Sequence, residues 1–167
     1  MKKTAFYGLF LALALICSYI ESLIPFYFGI PGVKLGLTNI VVILMLYYMG
    51  AKSAFLISML RILLAGLLFG NLFSILYSLA GGVFSFLCMV LLKRTGRFKI
   101  ISVSAAGGAA HNLAQITVAA AVVENRNLFL YYPLLLAAGV VTGILIGAAA
   151  QEILLRLPPD LMNKENL

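Results

Sequence analysis

A histidine, an asparagine and a glutamine stand close together in an apolar run, Gly107-Gly108-Ala109-Ala110-His111-Asn112-Leu113-Ala114-Gln115, and His111 is the only histidine of the chain. His111 and Gln115 are four residues apart and Asn112 and Gln115 three apart, so on a helix the three share one broad face. Two glycines one turn earlier leave room for a backbone or a ligand to come close. The second polar outlier is Arg61, set in Leu60-Arg61-Ile62-Leu63-Leu64. A lone arginine at the middle of a bilayer costs on the order of 2.5–3.5 kcal/mol even on insertion scales, so it should point into the protein. All five carboxylates (Glu21, Glu124, Glu152, Asp160 and Glu165) fall near segment ends or in connections, which predicts no acid at the depth of Arg61. A cation without an acid, level with a histidine and two amides, suits a carboxylate or phosphate, because guanidinium binds either with two parallel hydrogen bonds. The plainer alternative is that Arg61 bonds backbone carbonyls while His111, Asn112 and Gln115 hold helices together.

The elements that carry these residues are membrane spans. The 167 residues are 63% hydrophobic and only 10% charged, with a mean hydropathy of +1.11, whereas a soluble domain carries about 25% charged residues. This predicts an all-α integral membrane protein with six transmembrane helices in one bundle, formed by residues 1–157, and a short cytoplasmic tail, 158–167. The expected spans are Thr4–Ile24, a short one at Leu35–Tyr48, then Ser53–Phe69, Leu72–Leu92, Ile100–Val123, and Leu128–Leu155 entering properly near Tyr132-Pro133. Lys2 and Lys3 before an apolar core could open a signal peptide, but that core has the length of a span. Cys17 and Cys88 read as small hydrophobes, and no residues stand at metal-ligand spacing.

Lys and Arg divide unevenly between the two sides. With a cytoplasmic N-terminus that side holds Lys2, Lys3, Lys52, Lys93, Arg94, Arg97, Lys99, Arg156 and Lys164, against Lys34 and Arg126 outside. The positive-inside rule then places both termini in the cytoplasm of a multi-pass protein of the bacterial cell membrane. Counted at 1.5 Å per residue from the cytoplasmic ends of their spans, Arg61 and His111 differ in depth by only a few ångströms. The aromatic, turn-rich connection Pro25–Lys34 lies outside, where it could act as a lid or as an interfacial anchor. Lys34 at its end, Asn39 one turn into span 2 and Asn71 in the outer turn Gly70-Asn71 complete the candidate ligand set of Arg61, His111, Asn112 and Gln115. Thr4, Gly8 and Ala12 recur every four residues, a spacing that suits close packing within the bundle or docking on a partner subunit. Gly139, Gly143 and Gly147 repeat the same spacing and point first to internal packing and second to a subunit contact.

No Ser/His/Asp grouping, phosphate loop or CxxC is present, and the one aspartate, Asp160, cannot form the aspartate-rich motifs that prenyl transfer uses to hold magnesium and diphosphate. Catalytic residues and metal ligands are therefore not expected, nor any directly bound cofactor.

Pro31-Gly32-Val33-Lys34-Leu35-Gly36-Leu37-Thr38-Asn39-Ile40, Arg61 in its leucine-rich setting, and Gly107-Gly108 followed by His111-Asn112 and Gln115 resemble the bacterial membrane family called heptaprenyl diphosphate synthase component I, or the Gx transporter family. The six short spans and small-residue first helix also look like the substrate-binding S components of energy-coupling-factor (ECF) transporters. That resemblance implies a subunit that captures a small ligand from outside, anionic or related to a cofactor or isoprenoid, and docks on a transmembrane coupling subunit, with ATP used by partner ATPases. Thr4, Gly8 and Ala12 would then form the docking face. The family label implies instead a non-catalytic membrane partner of a soluble prenyl diphosphate synthase subunit. The basic Lys93–Lys99 connection would be where the two meet, and is otherwise a positive-inside anchor. The pocket residues differ from those of well-characterised S components, so the resemblance leaves the substrate undefined.

Overall fold

A computed structural model describes residues 2–23 and 36–157. The described chain is helical throughout: α1 (Lys2–Leu23), α2 (Leu37–Tyr48), α3 (Ala51–Phe69), α4 (Leu72–Arg94), α5 (Ile100–Val122), a 3₁₀ segment (Arg126–Tyr131) and α6 (Tyr132–Arg156). Among the described residues four stretches, against the six spans expected, are long and apolar enough to cross a membrane: those of α1, α3, α4, and α6 with its 3₁₀ lead-in. The 3₁₀ segment is why the last helix enters at Tyr132, with Pro133 in its first turn, where the missing N–H costs nothing.

Helix α2 is different. It has 12 residues, about 18 Å at 1.5 Å per residue, roughly half the hydrocarbon core of a bilayer. From Ile40 to Leu46 it is apolar on every side, as suits a segment buried nearly all round. Val41 to Leu46 and Tyr48 are buried against Phe10 and Ala14 of α1, Ala54 and Ile57 of α3, Phe86 and Met89 of α4, Val103 of α5 and Ile146 and Ala150 of α6. The core of the protein is thus built around α2 and fills one half of the bundle. Gly36 starts this helix with φ +70°, in the left-handed region that glycine enters at little cost.

The side-chain contacts fix the directions of the helices. The Tyr7 hydroxyl meets Ser53 Oγ at 2.7 Å and the Tyr19 ring meets Phe69 with centroids 5.0 Å apart, so α1 and α3 run parallel. Lys93 donates to the carbonyl of Leu46 at 2.8 Å, which puts the end of α4 at the end of α2. Along the α5–α6 seam Gly108 faces Gly139, Ser104 and Ala105 face Gly143, and Ile101 faces Gly147. At Gly108 and Gly139 the backbones meet so closely that an added Cβ would strike a carbonyl, which bears out the internal packing expected of the Gly139-Gly143-Gly147 repeat. Lys52, Lys93, Arg94, Arg97, Lys99 and Arg156 consequently gather at one end of the bundle, and Arg126 lies at the other.

Thr4, Gly8 and Ala12 are exposed, and nothing stands within 4 Å of a Cβ added at Gly8. Their small side chains do not pack inside the bundle, so the first of the two readings of that spacing is set aside. The buried face of α1 carries Phe10 and Ala14 instead.

Candidate functional site

Helix α2 begins level with the last turns of α1, where Ser18 and Glu21 meet Thr38 and the Leu37 N–H. A cavity of about 170 Å³ lies there. Ser18, Glu21 and Ser22 line it from the last turns of α1, and Gly36, Thr38 and Asn39 from the first turn of α2. Helix α3 supplies Arg61, Ile62, Ala65, Gly66 and Phe69, α4 supplies Ser74 and Ser78, and α5 supplies His111 and Gln115. The cavity lies toward the end of the bundle opposite the basic helix ends, and its floor is the apolar core around α2.

Arg61 and His111 do face one cavity. His111 and Gln115 are set there by Gly81 of α4: a Cβ on that residue would stand 2.7 Å from His111 Cε1 and 2.9 Å from Gln115 Cγ. Helix α4 can approach those two side chains only where it has none of its own. Gln115 is 3% exposed. Arg61 is half-buried, its Nε is shielded from solvent, and that nitrogen has no hydrogen-bond partner among the described residues. A guanidinium carries five N–H donors and no acceptor, so it can be satisfied only by carbonyls, carboxylates, water or an incoming anion. Leaving a buried donor unmet costs about 1–3 kcal/mol.

The expectation that no acid reaches the depth of Arg61 is corrected. Glu21 lines the same cavity and acts on Arg61 electrostatically. Counting residues gives the level of the backbone, whereas both side chains are long and reach one space from different turns. Glu21 does not close an ion pair with Arg61; the only ion pair among the described residues joins exposed Arg156 and Glu152. Its carboxylate instead accepts from the backbone N–H of Leu37 and from the Thr38 hydroxyl, each at 3.1 Å, and so caps the start of α2. The Ser18 and Thr38 hydroxyls share a further hydrogen bond of 3.1 Å.

Of the other predicted residues, Asn39 lines the cavity and two do not. Asn112 donates to the Leu135 carbonyl at 2.6 Å and lies beside Gly139, so it ties α5 to α6. One residue along a helix is a turn of about 100°, enough to send Asn112 to a different neighbour from His111. Asn71 caps α4: its side chain accepts from Ser74 N at 2.8 Å while Ser74 Oγ accepts from Asn71 N at 3.0 Å. Lys34 and the expected lid lie outside the described residues, as does the tail. Ser18, Glu21, Ser22, Thr38, Ser74 and Ser78 line the cavity without having been singled out. The signal for most of them was the spacing itself, since Ser18, Glu21 and Ser22 stand at i, i+3 and i+4 and Ser74 and Ser78 at i and i+4. Among the described residues no three His, Cys, Asp or Glu side chains gather as metal ligands would.

Long apolar helices around a polar cavity, with a half-buried arginine in its wall, define a helical protein of membrane type. Residues 10–153 match the family described as heptaprenyl diphosphate synthase component I, and the chain belongs to that family. No curated protein and no solved structure matches it.

Proposed function

We propose that this protein captures a small anionic molecule from the side of the bacterial cell membrane opposite its basic end. It would do so as the substrate-binding subunit of an ECF-type importer, with no chemistry of its own and with ATP used by partner subunits. The observation that carries this reading is Arg61, whose buried Nε faces no hydrogen-bond acceptor in a cavity it shares with His111 and Gln115. A guanidinium shielded from bulk water binds an anion more strongly than one exposed to it. The basic helix ends support a cytoplasmic placement of the floor of the cavity, and hence of both termini. The exposed Thr4, Gly8 and Ala12 face of α1 would meet a transmembrane coupling subunit.

The test is thermal unfolding of the detergent-solubilised protein with and without small carboxylates and phosphate. Arg61→Gln should fold and lose the response to these anions, and an undiminished response in that variant would refute the reading. Native mass spectrometry of protein purified from its own membranes would show any ATPase-containing assembly that travels with it.

The family description favours a second reading, a non-catalytic membrane subunit beside a soluble prenyl diphosphate synthase component. Arg94, Arg97 and Lys99 would supply the contact, since Lys93 already bonds the Leu46 carbonyl and lies over the Tyr47 ring, 4.8 Å from its centroid. Co-purification of a prenyl diphosphate synthase, lost when those three residues are neutralised, would establish it in place of the first.

A further inference from the structure

The cavity holds both signs of charge, and the acid is held in place more firmly than the base. Both Glu21 oxygens are occupied at the start of α2, one by the Leu37 N–H and the other by the Thr38 hydroxyl. The carboxylate therefore stays where it is when a ligand enters, and Arg61, with its Nε unmet, remains open to the ligand. A single guanidinium takes one carboxylate with two parallel hydrogen bonds. Any second negative group on the ligand would face the Glu21 charge, and like charges at close range repel. A donor group at that position would meet an acceptor, because each carboxylate oxygen has a lone pair beyond the one already used.

Size restricts the ligand further. At about 170 Å³ the cavity is close to an engineered protein cavity of about 150 Å³ that holds benzene, so the enclosed part suits a compact molecule. Its walls are also rich in hydroxyls, from Ser18, Ser22, Thr38, Ser74 and Ser78, which an isoprenoid chain would leave unmet.

Resting on the anion-capture reading, we infer that Glu21 sets the charge of the ligand. The cavity takes a compact carboxylic acid bearing a hydrogen-bond donor beside the acid group, an amino or hydroxy acid, and rejects polyanions such as diphosphate. Arg61 receives the carboxylate, Glu21 receives the amine or hydroxyl, and His111 and Gln115 close the side of the cavity against α4.

Four probes of known chemistry test this on the full-length, untagged protein in detergent by isothermal titration: propionate, lactate, alanine and pyrophosphate. The first three have the same carbon skeleton and differ at one position, which carries no donor, a hydroxyl or an amine. Lactate or alanine should bind at least tenfold more tightly than propionate and pyrophosphate, and the better of the two identifies the donor. Glu21→Gln, which keeps an amide oxygen to cap α2, should bring alanine and lactate to within threefold of propionate and raise pyrophosphate affinity at least tenfold. Wild-type protein that prefers pyrophosphate, or that does not distinguish lactate and alanine from propionate, overturns the inference without recourse to any variant. So does an unchanged ranking in folded Glu21→Gln. In each of these cases loss of binding in Arg61→Gln leaves the capture reading standing. Full binding in Arg61→Gln, or no binding of any probe by the wild type, overturns the capture reading itself.

Discussion

Gly81→Ala tests whether the cavity is assembled as described. The added methyl would stand 2.7 Å from His111 Cε1 and 2.9 Å from both His111 Nδ1 and Gln115 Cγ. Carbon atoms rest at about 3.5–4.0 Å, so the imidazole must retreat by roughly 1 Å or the helices must part. Overpacking of this kind costs about 1–3 kcal/mol, while alanine in place of glycine inside a helix returns about 1 kcal/mol. The net loss is then about 0–2 kcal/mol. At roughly 2–4 °C per kcal/mol for a chain of this size, Tm falls by no more than about 8 °C. The effect on the site should be larger in proportion. A displaced hydrogen bond to a charged ligand is worth about 1.5–3 kcal/mol, or at least a tenfold loss of affinity. Because His111 is the only histidine, histidine-selective isotope labelling of untagged protein yields a single imidazole spin system that reports directly on the cavity. The variant should shift those signals strongly and bind at least tenfold more weakly whichever of lactate and alanine the wild type prefers. Unchanged imidazole signals together with a Tm raised by helix propensity alone would refute the placement of His111 against Gly81.

Three further outcomes follow from other parts of the bundle. Asn112→Leu removes the bond to the Leu135 carbonyl, which keeps its partner within α6; it should cost about 0.5–1.5 kcal/mol in thermal unfolding and leave anion binding within threefold of wild type. Gly143→Val sets a branched side chain where an added Cβ would already lie 2.6 Å from the Ser104 carbonyl and 2.7 Å from Ala105 Cα, both backbone atoms. It should part α5 from α6 and leave little monodisperse protein by size-exclusion chromatography. Gly8→Leu meets nothing within the chain, so Tm should stay within about 2 °C of wild type or rise through helix propensity; under the importer reading, co-purification of a coupling subunit should be lost.

Much of the helix layout was legible in the sequence because apolar blocks are separated by short polar turns. The described helix ends fall within about two residues of those read from Ser53, Leu72, Ile100 and Tyr132-Pro133. The α5–α6 seam was legible for a related reason: three glycines at a spacing of four leave a groove that a second backbone can occupy. The site was legible in depth and obscure in rotation. Arg61 and His111 could be set level by counting residues, but the facing of α5 is decided by Gly81, a residue on another helix with no side chain to announce it. For the same reason Asn112 and His111, adjacent in the chain, serve different neighbours. Glu21 was misplaced because its carboxylate works a full side chain away from its own backbone level. The Thr4-Gly8-Ala12 spacing shows that close approach is possible there and does not say what approaches.

The apolar core around α2 also has an electrical consequence. Where water fills the cavity, the insulating part of the described bundle below it is the apolar plug from Val41 to Tyr48 and its neighbours. The membrane potential, worth about 2.3 kcal/mol per elementary charge per 100 mV, then falls mainly across that plug. Under the importer reading, an anion arriving from outside would reach Arg61 through little of the field, so capture should be nearly insensitive to voltage. Onward passage would meet almost all of the field, which a negative cell interior turns against an anion, so the step that needs an external energy source would be release.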